Sequence, residues 1–240
     1  MVNIIMFRQI KFNLYKSRNK YLTIILFLIV FSGIKAQFNT EIGYTVSYVG
    51  GKNMNAIIHS YNSKYNEMIT EMKDLKYING FNAGASYRFK ILKVGAYWES
   101  QTAYKNGIDG SLQSETNNEK KLYFYFNSVG AGLDFLTRYV GLGTIFDYNL
   151  FRIKTKKSGL ANKVDVVKEN YLSNKFHLIF NLKFSKNLGI QLRPFIIVPW
   201  QKVDLSPATN YLLDKEYSEK LDSDFIFYGI SMIIMNGKQG

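Results

Sequence analysis

Hydrophobic and polar side chains alternate with a two-residue period after residue 37. Over residues 38–49 the even positions include Phe38, Ile42 and Tyr44, whereas the odd positions hold only Asn, Glu, Gly, Thr and Ser until Val49. Successive side chains of a β-strand point to opposite faces. The pattern therefore predicts a strand with one apolar and one polar face.

The same alternation predicts seven further strands. The clearest one covers residues 140–150, where Val140, Leu142 and Phe146 alternate with Gly141 and Asp147. Each segment is long enough to cross a bilayer at the ~45° tilt of membrane strands. The sequence thus predicts an all-β fold, an eight-stranded antiparallel up-and-down transmembrane β-barrel.

The connections between these strands alternate between short and long. Only a few residues follow the second, fourth and sixth strands, whereas the other connections span residues 50–78, 106–119, 155–171 and 201–223. Bacterial outer-membrane barrels have short periplasmic turns and longer extracellular loops. We therefore expect four long extracellular loops and two periplasmic termini.

A soluble lipocalin-like barrel is the alternative, because it also has eight strands but faces its apolar side inward. The polar positions are mostly Gly, Ser and Asn with scattered charges, rather than the Lys and Glu that a solvated exterior needs. Aromatic residues also lie near the strand ends, as in membrane girdles. Both features favour the membrane barrel.

Residues 1–36 have the composition of a secretory signal peptide. They contain six Lys or Arg, no acidic residue, and an apolar run over residues 21–34 that is shorter than a membrane-spanning helix. We expect cleavage near Ala36, which leaves residues 37–240 as the barrel domain with a net charge of +7. The expected location is the outer membrane of a Gram-negative bacterium.

The chain resembles the small OmpA-type outer-membrane barrels, and more closely the short outer-membrane β-barrel proteins that include PorT-like members. The resemblance covers residues 37–240 and rests on the signal ending at Ala36, the eight strands, and inward glycine pairs such as Gly130 with Gly132 and Gly141 with Gly143. It implies an integral outer-membrane protein. No active-site motif of a family accompanies it.

Charged residues occur on the inward parity of several strands. Side chains fill the interior of an eight-stranded barrel, so these charges are expected to form a buried ion-pair network rather than line a pore. In particular, we expect Glu41 to pair with Arg88 near the periplasmic end. A narrow proton or ion path is the alternative. The residues are Glu41, Arg88, Glu99, Asp134, Asp147, His177, Lys183 and Arg193.

The first long loop has a different periodicity. Its apolar residues recur at alternating four- and three-residue steps, which predicts an amphipathic helix at the extracellular mouth. This helix is either a lid packed on the barrel rim or a docking surface for an envelope protein partner. Ser206 and Pro207 predict a second, short helix in the last loop. The first helix has the apolar face Met54, Ile58, Tyr61, Tyr65, Met68, Met72 and Leu75.

Three basic residues continue the outward parity of residues 140–150. The apolar run spans roughly 25 Å, the height of the apolar band of such barrels, so Arg152 should emerge at the outer interface, followed by Lys154 and Lys156. Lipid phosphates lie at that height. We expect these residues to contact lipopolysaccharide, with ordinary solvated loop bases as the alternative.

Little in the sequence indicates catalysis. Cys is absent, and the two histidines are interpreted as a solvated loop residue, His59, and a lumen residue bonded to its neighbours, His177. We expect no catalytic, cofactor or metal site and no nucleic-acid binding, with a monomeric barrel in a structural or surface-interaction role. An accessory barrel of a secretion, assembly or motility complex is the alternative. A membrane enzyme acting on lipid or peptide ranks third.

Overall fold

The computed structural model describes residues 37–65, 68–109, 118–156, 162–185, 188–216 and 219–236. The predicted signal peptide, residues 1–36, lies outside the described residues. No helix among these residues is both long enough and apolar enough to cross a membrane.

Eight long antiparallel strands form a closed barrel. Each pairs with its neighbours in sequence, and the last strand pairs with the first. The predicted eight-stranded up-and-down topology is confirmed. The strands are β1 (Gln37–Val49), β2 (Tyr77–Phe89), β3 (Leu92–Asp109), β4 (Asn118–Leu136), β5 (Val140–Thr155), β6 (Val164–Lys183), β7 (Leu188–Pro199) and β8 (Phe227–Asn236).

The strand register sets the tilt of the barrel. Following paired residues once around the barrel from Phe38 leads back to β1 at Tyr48, ten residues further along. A stagger of this size over eight strands corresponds to a tilt of about 40°, and a barrel of eight strands leaves room only for side chains inside.

The exterior carries the apolar residues and the interior of the spanning region carries the polar ones. Ile42 is 61% exposed and Leu142 is 59% exposed, whereas Thr45 and Gln191 are fully buried. A soluble barrel would have the reverse arrangement. Aromatic side chains also flank the exterior band, with Tyr48 and Tyr77 in edge-to-face contact at 5.7 Å. These features are those of a transmembrane barrel.

Strand β6 begins earlier than its alternation predicts. Its first residue is Val164, whereas the predicted loop extended to residue 171. A β-bulge lies opposite Ile153 and Lys154, where Val167 and Asp165 are the partners and Val166 is the extra residue. Because a bulge inserts one residue, the inward and outward positions before it are exchanged. The two-residue alternation of apolar and polar side chains is therefore interrupted at the bulge.

Two helices lie in the long connections. They are α1 (Lys52–Lys64) and α2 (Ser206–Leu213). The predicted helix at Ser206 and Pro207 is present, although Leu205 rather than Ser206 is the N-cap. Two short strand pairings, Met68–Thr70 with the end of β3 and Val203–Asp204 with Asp222–Ser223, complete the described loops.

The first helix is shorter than predicted. It ends at Lys64, and residues 68–76, the returning segment, run back alongside it, so Tyr65, Met68, Met72 and Leu75 are not helical. Asn55 accepts a hydrogen bond from the Leu75 amide at 2.8 Å, and Asn62 accepts one from the Met72 amide at 3.0 Å. The two asparagines are seven helical residues apart, roughly 10 Å, which matches three extended residues. Each thus binds a backbone amide of the returning segment.

Candidate functional site

The lower lumen, towards the short turns, is built around one buried lysine. Lys93, on β3, is 1% exposed, and its Nζ lies 2.7 Å from Glu41 Oε1 and 2.9 Å from Asp134 Oδ2. Glu41 also accepts a hydrogen bond from Arg193 Nη2 at 2.6 Å. Four strands therefore contribute to one group of alternating charges, and each carboxylate contacts at least one cation.

His177 extends this group on β6. Its Nε2 lies 2.9 Å from Asp134 Oδ1. Gly143 makes room for this contact, because a Cβ at that position would lie 2.1 Å from Asp134 Oδ1 and 2.7 Å from His177 Nε2. The inward glycines thus allow larger ionic side chains to share a narrow lumen.

A second ionic group lies beside the first. Lys175 forms an ion pair with Glu99, and its Nζ lies 3.9 Å from the centroid of the Phe195 ring. Asp147 lines the same part of the lumen, beside Gly130, where a Cβ would lie 2.3 Å from its Oδ1. We call these two groups together the lumen network: Glu41, Lys93, Glu99, Asp134, Asp147, Lys175, His177 and Arg193.

The sequence assigned six of these eight residues to the lumen. It omitted Lys93 and Lys175, although both continue the inward parity of their strands, and this parity was the signal that could have identified them. The side chain of Lys183, also predicted here, lies outside the described residues.

The predicted Glu41–Arg88 pair is wrong. Both residues have inward parity, but the register places Arg88 opposite Gln37, four residues or roughly 13 Å from the level of Glu41. Arg88 instead lies near the rim, where its Nε donates a hydrogen bond to the Lys90 carbonyl at 2.9 Å. Lys93 and Arg193 are the partners of Glu41.

Little empty space remains in the lumen network. The cavity between its two groups has a volume of about 30 Å³ and is lined by Glu41, Asp147, Lys175 and His177 among others. A space of that size holds about one water molecule. Side chains of the lumen network therefore fill most of this level of the barrel interior.

The upper lumen, towards the long loops, has an apolar interior. Phe124, Phe126, Phe151 and Phe227 point inward and are at most 2% exposed. The rings of Phe126 and Phe227 are in contact, tilted by 39° with their centroids 4.7 Å apart. These residues belong to one apolar core, which also contains Met54, Ile58, Tyr61, Met72, Leu75, Leu205, Ala208 and Leu212 from the two long loops.

The loop segments of that core form a cap over the barrel mouth, which we define as α1, the returning residues 68–76, and α2. All seven residues of the predicted apolar helix face lie in or against the apolar core, including the four that are not helical. The pattern thus identified the buried side chains but not the path of the backbone.

Polar contacts fasten the cap to the barrel. Lys120 on β4 donates a hydrogen bond to the Tyr211 carbonyl at 2.7 Å, at the end of α2, and forms an ion pair with Asp214 at 2.6 Å. Tyr65 donates a hydrogen bond to the other oxygen of Asp214 at 2.8 Å. Burial alone would raise the pKa of Asp214, but the hydrogen bonds from Lys120 and Tyr65 lower it below its ordinary value.

The three basic residues expected to contact lipid lie at the extracellular end of β5, on the outside of the barrel. Arg152, Lys154 and Lys156 face outward, as predicted from parity. Lys154 lies 3.4 Å from Asp165, and Lys156 is exposed just beyond the end of β5. Arg152 is paired across the sheet with Lys168, so two cations adjoin on the lipid-facing side.

The two histidines lie where the sequence analysis expects them, one in the first long loop and one in the lumen. His59 is exposed on α1, 3.2 Å from Asp74, and His177 lies in the lumen network. In the described ranges, no three His, Asp or Glu side chains come together as a metal site would require. The expected lack of catalysis and cofactors stays a prediction.

Comparison with known proteins finds no matching family model and no curated relative. Among solved structures, the chain is similar to Ail of Yersinia pestis in complex with the heparin analogue sucrose octasulfate, at 16% identity over 85% of this chain and 99% of that one, with a TM-score of 0.48. It is also similar to Neisserial surface protein A, at 11% identity over 83% and 96%, with a TM-score of 0.42. A third similar structure is the N-terminal β-barrel domain of Pseudomonas aeruginosa OprF, at 7% identity over 85% of this chain and 99% of that one, with a TM-score of 0.32.

The architecture of the chain itself carries the assignment. A closed eight-stranded barrel with an apolar exterior, polar side chains in the lower part of its interior, short turns at one end and long loops at the other has the architecture of an outer-membrane β-barrel. The narrower resemblance to PorT-like proteins stays a prediction. The chain is therefore a transmembrane protein of the outer membrane of a Gram-negative bacterium.

Proposed function

We propose that this barrel does not conduct solutes and acts through its outer surfaces, with the polar side of the cap directed at extracellular partners. The filled lumen supports this proposal: ion pairs occupy its lower half and an apolar core its upper half. A solute path would have to cross both layers, and opening either layer would separate buried charges or expose apolar surface.

The side of the cap opposite the apolar core is the surface available for contact. His59, Ser63 and Lys64 are exposed on α1, and Lys73 is exposed on the returning segment. A groove of about 300 Å³ lies between the two helices, with Ile57, Leu213 and Leu221 in its wall. Because α1 buries its apolar face in the protein, we place any partner contact on this polar side.

Conductance and labelling test the two halves of the proposal. The purified protein in planar bilayers should show no steady conductance steps, and such steps would overturn the sealed barrel. In intact cells, Tyr61→Cys and Met68→Cys should resist a membrane-impermeant thiol reagent, whereas the control Ser63→Cys on the polar side of α1 should react quickly. Rapid labelling at residues 61 and 68 would show that the apolar side faces outward.

A crosslinker at an exposed cap position then identifies the partner. We expect a photo-crosslinker at Ser63 to capture a macromolecule that one at lipid-facing Leu178 does not. Capture of a defined envelope complex would make the protein an accessory barrel of that complex. Identical products from the two positions would contradict a role for the cap.

A further inference from the structure

Two cations face each other on the lipid-facing side of β5 and β6, and neither forms an ion pair with an acidic side chain among the described residues. Arg152 and Lys168 are cross-strand partners with the same outward parity. Like charges directly opposite each other on an antiparallel pair are destabilising. The nearby acids do not relieve this repulsion, because Asp165 pairs with Lys154 and Glu169 has inward parity, opposite Phe151.

The guanidinium of Arg152 has unused hydrogen-bonding capacity. Its Nη1 is buried and has no hydrogen-bond partner among the described residues. Tyr125, the partner of Arg152 on β4, already accepts a hydrogen bond from Lys163 at 2.8 Å. A guanidinium offers five donors, so an unpartnered nitrogen beside a second cation calls for an oxygen anion.

The height of this pair on the barrel indicates the source of the anion. The outward apolar run from Val140 ends at Leu150, and Arg152 is the next outward residue. At ~3.3 Å per residue and a tilt of about 40°, ten residues span roughly 25 Å, the height of the apolar band. Arg152 and Lys168 thus lie where the outer leaflet changes from acyl chains to head groups.

We propose that Arg152 and Lys168 together bind one phosphate group of an outer-leaflet lipid. A phosphate can accept two parallel hydrogen bonds from Arg152 while Lys168 supplies a second positive charge. Of the three residues expected from the sequence, only Arg152 belongs to this site. Lys154 is neutralised by Asp165, and Lys168 comes from the neighbouring strand. The site does not depend on a partner of the cap or on a sealed lumen.

Thermal unfolding in defined lipid separates this site from a solvated basic patch. The protein in zwitterionic detergent is titrated with phosphorylated lipid A, with dephosphorylated lipid A, or with inorganic phosphate. Phosphorylated lipid A should raise the unfolding midpoint, and R152Q, K168Q and the double variant should lose at least roughly half of that rise. The control K202Q removes an exposed base from the connection after β7 and should keep it.

Without lipid, the same variants should lose no stability, whereas variants of residues with a purely structural role would be less stable than the wild type. Because each removes one of two repelling charges, R152Q and K168Q should be as stable as the wild type, or slightly more stable, in zwitterionic detergent alone. Loss of stability there would overturn the proposal. The proposal would also be overturned if phosphorylated lipid A raised the unfolding midpoint of the double variant as much as that of the wild type. The same holds if dephosphorylated lipid A raised the wild-type midpoint as much as phosphorylated lipid A does. An equal rise with inorganic phosphate would overturn the assignment to lipid.

Discussion

The lower and upper halves of the lumen fill the same cylinder with opposite chemistry. In the lower half, Lys93 lies between two carboxylates, and glycines such as Gly143 leave room for the ion pairs. In the upper half, phenylalanines such as Phe126 and Phe227 fill the cross-section. The lower half is completed by the barrel strands alone, whereas the upper half also needs the cap.

This difference follows from what lies above each layer. Ion pairs buried within the strands satisfy one another and need no cover. An apolar layer open to the cell exterior would expose large apolar surface to water, so loop segments must cover it. We therefore expect changes in the lower half to affect the whole barrel, and changes in the cap contacts to affect the extracellular end.

The largest expected effect is that of Lys93→Met in the lower half. It leaves Asp134 without its lysine partner and Glu41 with Arg193 as its remaining ion-pair partner, and both carboxylates are almost fully buried. Breaking a buried ion pair by removing one partner costs about 3 to 5 kcal/mol. The free energy of unfolding, measured by urea titration in detergent, should fall by about that amount.

The control for Lys93→Met is Arg88→Gln. Arg88 is the base that the alternation alone would pair with Glu41, but it lies at the rim and donates a hydrogen bond to Lys90. Its replacement should cost about 1 kcal/mol or less, as for a partly exposed contact. Equal costs for the two variants would contradict the ion pairs of the lower lumen.

How much could be predicted from the sequence also differs between the halves. Parity predicted the strands and the inward side of Glu41, Asp134 and Arg193, because a strand has only two faces. It could not predict which charges pair, because inward side chains also meet through the lumen from strands that are not neighbours. Lys93 of β3, the cross-strand partner of Arg88, contacts Glu41 of β1 in this way.

The cap was predicted less completely for a different reason. A repeat of four- and three-residue steps marks buried positions on a helix, but Met72 and Leu75 are buried on a returning segment with the same spacing. The distinguishing residues, Asn55 and Asn62, looked like ordinary polar positions. Their role depends on the amides of Met72 and Leu75, which the returning segment places beside α1.

An intermediate effect is expected in the cap. Asn55→Ala and Asn62→Ala each remove the side chain that binds a backbone amide of the returning segment. Leaving such a part-buried group without its partner costs about 1 to 3 kcal/mol. We expect faster hydrogen exchange and proteolysis over residues 68–76 while the barrel strands stay protected. Ser63→Ala, on the exposed side of α1, is the matched control, and loss of protection in β1 to β8 would contradict the division into two regions.

The smallest expected effect is the pH response of the cap at Asp214. Burial opposes ionisation of this carboxyl, but hydrogen bonds from Lys120 and Tyr65 outweigh it, so its folded pKa lies below the ordinary value of 3.8. Its contribution is therefore fully present well above pH 3.8 and is lost as the pH falls through the lower folded pKa. Because the side chain is 60% exposed, the ion pair with Lys120 contributes about 1 kcal/mol or less. Hydrogen exchange of α2, followed from pH 6 to pH 2 and corrected for the intrinsic rate, should show a modest loss of protection below pH 4. Asp214→Asn should show weaker protection of α2 at pH 6 and little further loss on acidification. An unchanged acid response in this variant would assign the effect to another carboxyl group of the cap.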